Sequence, residues 1–352
     1  MVRFSDVLTI INGKNQSKVE NPNGKYPIYG SGGVMGYADD YLCGAETVVI
    51  GRKGSINKPL FVEEPFWNVD TAFGLVANRD ILLPKYLFYF CVYFDFEQLN
   101  TTVTIPSLTK ANLLNIEMNL PALRSQCEIV ERLSKIDELI SRRKEQLVKL
   151  DQLVKSRFIE LFGDPMTNPK GFPRYTVGEV IDFQGGSQPD KKCFEYEPTP
   201  DNVRLIQIRD YKSDKYITYI PRAMAKRFCT ADDIMIGRYG PPIFQILKGI
   251  EGAFNVALMK ATPKMGNREF VRQFLKQDCL LEYLEGLSKR TAGQDGIQMD
   301  KLKAYPFPYP PIELQEQFAA FVEQTDKSKL AIQQSLEKLE TLKKSLMQQY
   351  FG

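Results

Sequence analysis

The 352-residue chain has no histidine. That excludes a Ser-His-Asp triad, imidazole metal sites and histidine acid–base chemistry. Its six cysteines (Cys43, Cys91, Cys127, Cys193, Cys229 and Cys279) are scattered and form no CxxC pair. Reduced thiols are expected, with neither a disulfide framework nor a zinc site. No apolar run reaches the roughly eighteen residues of a membrane helix. The opening "MVRFSDVLTI" lacks the charged, apolar and small-residue zones of a signal peptide. The expected location is the cytoplasm, with no membrane partner. Net charge is also small: 46 basic residues against 43 acidic leave +3. Such a balance exerts no global pull on nucleic acid, so any basic surface must be local.

Catalytic signatures are missing as well. "RYGPPI" superficially resembles the Asn/Asp-Pro-Pro-aromatic loop of adenine methyltransferases, but Gly240 stands where the amide or acid is needed and Ile243 replaces the aromatic. No glycine-rich turn for S-adenosylmethionine follows a clear strand, and no paired acidic cluster with a neighbouring lysine stands out. Asp164 in "FGDP" lies between Gly163 and Pro165, which reads as a chain reversal. No metal site and no catalytic residue are expected.

What the chain does contain is a repeat. Shifted by 189 residues, "PALRSQCEIVERLSKIDELISRRKEQLVKLDQLVKSRFIELFG" lies without a gap over "PPIELQEQFAAFVEQTDKSKLAIQQSLEKLETLKKSLMQQYFG". Gln126 meets Gln315, Asp137 meets Asp326, and Phe162-Gly163 meets Phe351-Gly352, which marks an internal duplication. Each copy reads as a long helix with a heptad seam. The first seam runs through Leu133, Ile136, Ile140, Leu147, Leu150 and Val154. The second runs through Ile332, Leu336, Leu339 and Leu346 and is broken by Thr325, Lys329 and Lys343. About 38 helical residues span roughly 57 Å. Matching seams favour packing of the two helices on each other; two long surface helices of a larger bundle are the alternative. The segments before them also correspond, "VVIGRKG" with "IMIGRYG" and "WNVD" with "FNVA". Short β-type runs bounded by Gly, Pro, Asn and Asp precede more helical stretches, so each domain reads as α+β. The expected order is domain 1–120, helix 121–163, domain 164–310, helix 311–352.

Recognition chemistry has several candidates. "IYGSGGVMGY" is dense in glycine without nucleotide-loop spacing; it is a pair of tight turns, or a loop presenting Tyr29 and Ser31 to a ligand. Arg52, Lys53, Ser55, Asn57 and Lys58 cluster in "IGRKGSINK", and Arg238, Tyr239 and Gln245 in "IGRYGPPIFQ". Guanidinium and amide groups pair with guanine and adenine edges, while lysine neutralises phosphate. Each turn alone reads equally as a solvated loop; their recurrence at matching places favours recognition. "QGGSQPD" adds Ser187 and Gln188, and "LSKRTAGQDGIQ" adds Lys289, Arg290 and Gln294. Hydroxyls there also suit ordinary capping turns.

Taken in this order and duplicated, "YPIYGSGGVMGY", "VVIGRKGSINKP", "WNVDTAF", "IPSLTKANL", "LPALRSQCEIVERLSKIDELI" and "LVKSRFIELFGDP" resemble the specificity subunit of Type I restriction–modification systems. The likeness covers essentially the whole chain. One departure is Phe318-Ala319, where the first copy has the Ile129-Val130 pair usual after this glutamine. The resemblance implies two β-rich target recognition domains separated by two long helices that form an antiparallel coiled coil with a pseudo-two-fold internal repeat. It implies that each domain reads half of a split, asymmetric site in double-stranded DNA. It also implies two methylation subunits carrying S-adenosylmethionine, and motor-nuclease restriction subunits using ATP and magnesium, with no cofactor in this chain. A coiled-coil adaptor and a stand-alone DNA-modifying enzyme remain the alternative readings.

Overall fold

The computed structural model describes residues 1–99, 107–239, 243–288 and 297–352. They form two compact units, Met1–Glu145 with Ile332–Gly352, and Gln146–Ala331. Each long helix therefore contributes one part to each unit.

In the first unit, β1 (Val2–Arg3), α1 (Phe4–Val7) and β2 (Leu8–Asn12) lead into β3 (Tyr26–Gly30), β4 (Gly33–Ala38), β5 (Thr47–Gly51), β6 (Leu60–Val62), β7 (Trp67–Asn68) and β8 (Ala72–Ala77). α2 (Pro84–Tyr93), α3 (Lys110–Leu114), β9 (Glu117–Met118) and α4 (Leu123–Phe162) follow. One sheet has the order β2-β8-β5-β6 and a second the order β4-β3-β7. The continuous apolar run of β5 is buried on both faces, as such runs require.

The second unit repeats this plan. Its elements are β10 (Arg174–Thr176), α5 (Val177–Val180), β11 (Ile181–Gly185), β12 (Asn202–Ile206), β13 (Tyr219–Pro221), β14 (Phe228–Cys229), β15 (Ile234–Gly237), β16 (Gln245–Lys248), β17 (Gly252–Phe254) and β18 (Leu258–Pro263). α6 (Arg268–Leu275), α7 (Asp278–Ser288), α8 (Met299–Ala304), β19 (Pro306–Pro308) and α9 (Ile312–Phe351) complete it. The sheet β11-β18-β15-β16 matches the first unit's larger sheet, and β13-β12-β17-β14 extends the smaller one. The antiparallel pair Val2↔Met118 is repeated by Tyr175↔Phe307. The parallel pair Ile28↔Trp67 is repeated by Leu205↔Ala253.

Within each unit the two long helices run antiparallel. In the first, Lys343 Nζ donates to Asp137 at 2.6 Å and Lys144 pairs with Glu340 at 3.4 Å. In the second, Lys329 Nζ donates to Asp151 at 2.6 Å, and the Phe158 and Phe318 rings meet at 5.6 Å. Leu133, Ile136, Val154 and Leu336 are buried, while Ile140, Leu147, Leu150, Ile332, Leu339 and Leu346 are half-buried. The polar breaks of the second seam are cross-helix contacts: Lys329 and Lys343 reach aspartates on α4. Thr325 returns its hydroxyl proton to the Phe321 carbonyl at 2.9 Å, which removes the cost of burying it.

Each domain is fixed to its helix pair by the same two devices. Gln126 is fully buried; its Oε1 accepts from Leu83 N, and its Nε2 donates to the carbonyls of Ile81 and Pro121, all at 2.8 Å. Leu83 is the N-cap of α2 and has no side-chain oxygen to offer, so Gln126 satisfies a terminal group that the sequence leaves open. Gln315 repeats the device, accepting from Asn267 N and donating to Pro310 O at 2.8 Å. The second device is the helix-ending phenylalanine. Phe162 meets Phe270 at 4.7 Å between centroids, and Phe351 meets Tyr86 at 5.2 Å. Gly163 then takes a positive φ of 76°, as helix ends favour. Asp164 Oδ1 accepts from Met166 N and Thr167 N, so this aspartate builds a turn.

Candidate nucleic-acid interface

The candidate surfaces grow from the ends of β5 and β15. In the first unit, Arg52 follows β5 directly. Its N–H donates to Thr71 O at 2.7 Å, and its exposed guanidinium lies 5.9 Å from the Phe73 ring centre. In the second unit, Arg238 follows β15, and its N–H donates to Ala257 O at 2.9 Å. Since Gly51↔Ala72 is repeated by Gly237↔Leu258, the two arginines hold one position in the duplicated sheet. Arg238 is half-buried and lies 5.4 Å from the ring of exposed Tyr239.

The glycine before each arginine is a close-approach point. A Cβ on Gly51 would stand 2.6 Å from Ser55 O and 2.9 Å from Ser31 Cβ; one on Gly237 would stand 2.9 Å from Ile208 Cδ1. Ser31 and Ser55 are thereby gathered beside Arg52. Lys53, Ser55 and Lys58 are exposed on the same turn, which is anchored by buried Ile56. Asn57 is held differently. Its amide donates to Asp95 Oδ1 and accepts from Phe96 N, both at 2.7 Å, so both ends of the side chain are occupied in tying down the following segment. Tyr29 is half-buried with its ring edge-on to Phe66 at 5.3 Å. Burial above all, then Glu64 and Tyr37, pushes its hydroxyl pKa up.

Around Arg238, Ser187 N donates to Phe254 O, and exposed Gln188 donates to its neighbour Pro189 O. Gln245 pairs in register with Gly237 on β16. Lys289, Arg290 and Gln294 lie outside the described residues.

Sequence reasoning missed the segment after β12. Gln207 Nε2 and Arg209 Nη2 both donate to Thr218 Oγ1, at 3.2 and 3.1 Å. Beneath them Asp210, only 6% exposed, accepts from Gln207 N at 2.8 Å through Oδ2. Burial raises the pKa of this carboxyl, against the Gln207 hydrogen bond and the charges of Arg204 and Arg209. Asp210 Oδ1, Tyr211 Oη and Arg204 Nε are buried without a hydrogen-bond partner. The available signal was the Gln-x-Arg spacing in "RLIQIRDY" followed by Lys212 and Lys215. Among the described residues no cluster of three His, Cys, Asp or Glu could hold a metal ion, and no helix is long and apolar enough to cross a membrane.

The sequence matches the profile of the Type I restriction modification DNA specificity domain over residues 1–150 and again over 169–343. The chain belongs to that family. It carries two DNA specificity domains, each followed by a long helix. The fold is similar to a Type-I restriction-modification system S subunit from M. genitalium, with TM-score 0.62 and 18% identity over 100% of this chain and 95% of that one. A second similar structure comes from work on complex assembly and conformational transition of the type I R-M system (TM-score 0.57, 17% identity, 99% and 96% coverage). The architecture is that of a Type I specificity subunit: two mixed α/β domains with a long central and a long C-terminal helix.

Proposed function

We propose that the chain is the non-catalytic sequence reader of a cytoplasmic Type I restriction–modification complex. Each domain reads one half of a split site in double-stranded DNA, and the long helices set the gap between halves. Two methylation subunits would supply S-adenosylmethionine chemistry, and motor-nuclease subunits would supply ATP- and magnesium-dependent restriction; no cofactor is assigned to this chain. One observation carries the reading: Arg52 and Arg238 occupy the same position in the duplicated sheets, each beside a glycine that admits a neighbouring turn. A guanidinium so placed can engage a guanine edge or a phosphate. The surrounding sequences differ, so the two halves read should differ.

The test uses the chain co-expressed with its methylation subunits, with methylated adenines mapped across a genome. Arg52→Ala should relax or weaken one half of the motif and Arg238→Ala the other. Equal loss at both halves, or no change in either, would count against the reading. Methyl transfer by the purified chain alone would favour the enzyme alternative. An assembled complex without salt-dependent DNA binding would favour the adaptor.

A further inference from the structure

The two domains place chemically opposite segments at one position of the fold. β3 and β12 correspond, since each runs parallel to the short strand β7 or β17. The residues that follow them correspond too, because Ser31 packs on Gly51 as Ile208 packs on Gly237. In the first domain this position is the tip of the β3–β4 hairpin, with Val34 and Met35 beside it exposed by 53% and 64%. In the second it is Gln207-Ile208-Arg209-Asp210, followed by exposed Lys212 and Lys215.

The second segment is held in shape. Asp210 N donates to Gln207 O while Asp210 Oδ2 accepts from Gln207 N. Gln207 and Arg209, two residues apart, converge on the one hydroxyl of Thr218. The Arg209 guanidinium also lies 5.8 Å from the ring of Tyr216, which Lys215 approaches at 5.2 Å. An amide and a guanidinium preset side by side match the major-groove edges of adenine and guanine, each of which accepts a two-point contact from such a group. Placing a carboxylate beneath them is a costly way to shape a turn. Here it fixes the main chain of Gln207, from which that side chain projects.

We propose that Gln207 and Arg209 are the base-reading pair of the second domain, taking neighbouring adenine and guanine, and that the first domain meets DNA at the corresponding place through the apolar Val34–Met35 hairpin tip, which suits a thymine methyl. This rests on the DNA-reading function and assigns the residues that make its two halves differ.

The experiment is half-site-resolved binding and methylation by the assembled complex on a randomised DNA library. Arg209→Ala should lower discrimination at one base pair of the second half by about 5- to 150-fold, while binding to non-cognate DNA changes little. Arg209→Lys, which keeps the charge, should restore it only in part, because lysine lacks the rigid planar fork that fixes the two-point contact. Met35→Ser should relax only the first half. Uniform weakening on all sequences with Arg209→Ala, with the salt slope reduced by about one, would make Arg209 a phosphate contact and overturn the assignment. So would unchanged discrimination. A wild-type complex without sequence preference would instead defeat the proposed function itself.

Discussion

The two units share a skeleton and diverge where the skeleton does not constrain them. Both seat a buried glutamine under the start of a domain helix, and both plug a helix-ending phenylalanine against an aromatic ring of that helix. These contacts satisfy backbone groups or fill core volume, so any domain docked this way needs them. One turn further along, the match ends. In the first unit Tyr89 donates its hydroxyl to Asp137 at 3.0 Å. In the second, Asp326 faces Arg272 at 3.5 Å and Lys248 at 2.9 Å, and Arg272 also binds Glu269 at 2.6 Å. A duplicated aspartate thus anchors one domain through a phenol and the other through a charge network. The position is fixed by the repeat and the partner is free to change. The candidate surfaces follow the same rule, with paired arginines on a shared strand end beside unlike neighbouring segments.

The largest effect should come from the glutamines, and it should be unequal. Gln126 makes three buried hydrogen bonds to main chain and Gln315 two. Truncation leaves those groups unpaired, so Gln126→Ala should cost about 3–5 kcal/mol and Gln315→Ala about 2–4 kcal/mol. Trp67, the one tryptophan, lies in the first unit, so its fluorescence follows that unit while circular dichroism follows the whole chain. Gln126→Ala should move the fluorescence transition to lower denaturant and Gln315→Ala should leave it in place. A fluorescence shift of similar size in both variants would break the comparison.

How much of this was legible in the sequence follows from the same rule. The repeat of the long helices survives as identity because heptad position, buried glutamine and terminal Phe-Gly are each tied to geometry. The 189-residue shift carries Lys110, at the start of α3, onto Met299, at the start of α8. Inside the sheets the letters drift. "WNVD" and "FNVA" align by eye through their asparagines, yet the strands pair Trp67 with the same neighbour position as Ala253, so Asn68 and Asn255 are one residue out of step. Apolar residues on a buried strand are interchangeable, so similarity there does not fix register. "IGR" was legible because a close-approach glycine directly before an arginine has few substitutes. The segment of Gln207 and Arg209 was not, because "RLIQI" reads as the end of an ordinary apolar strand and only tertiary placement brings Ile208 against Gly237 of Arg238's strand. Asn57 shows the converse: a polar residue in a basic turn whose amide is occupied holding Asp95 and Phe96.

A middle-sized effect separates the two docking contacts. Tyr89→Phe keeps the ring and loses the hydroxyl, which should cost about 1 kcal/mol in the first unit. Arg272→Met leaves Glu269 without its buried partner and should cost the second unit about 2–4 kcal/mol, visible in urea unfolding by circular dichroism with the Trp67 transition unmoved. Comparable losses would mean that the charge network adds nothing beyond the phenol.

The smallest effect concerns pH and isolates Asp326. Burial disfavours its ionised form, but the hydrogen bond and charge of Lys248, with Arg272 and Lys329, outweigh that and hold the carboxyl below the usual aspartate range. A carboxyl depressed on folding contributes stability that is fully present above the unfolded value of about 3.9 and is lost as pH falls through the lower folded value. Asp326→Asn should therefore destabilise the second unit near neutrality, and its deficit against wild type should close as pH is lowered from about 5 to about 2. The Trp67 signal of the first unit should show no such closing. A deficit that stays constant over that range would mean that Asp326 acts through shape and hydrogen bonding, and the contrast between a phenol-anchored and a charge-anchored domain would lose its electrostatic basis.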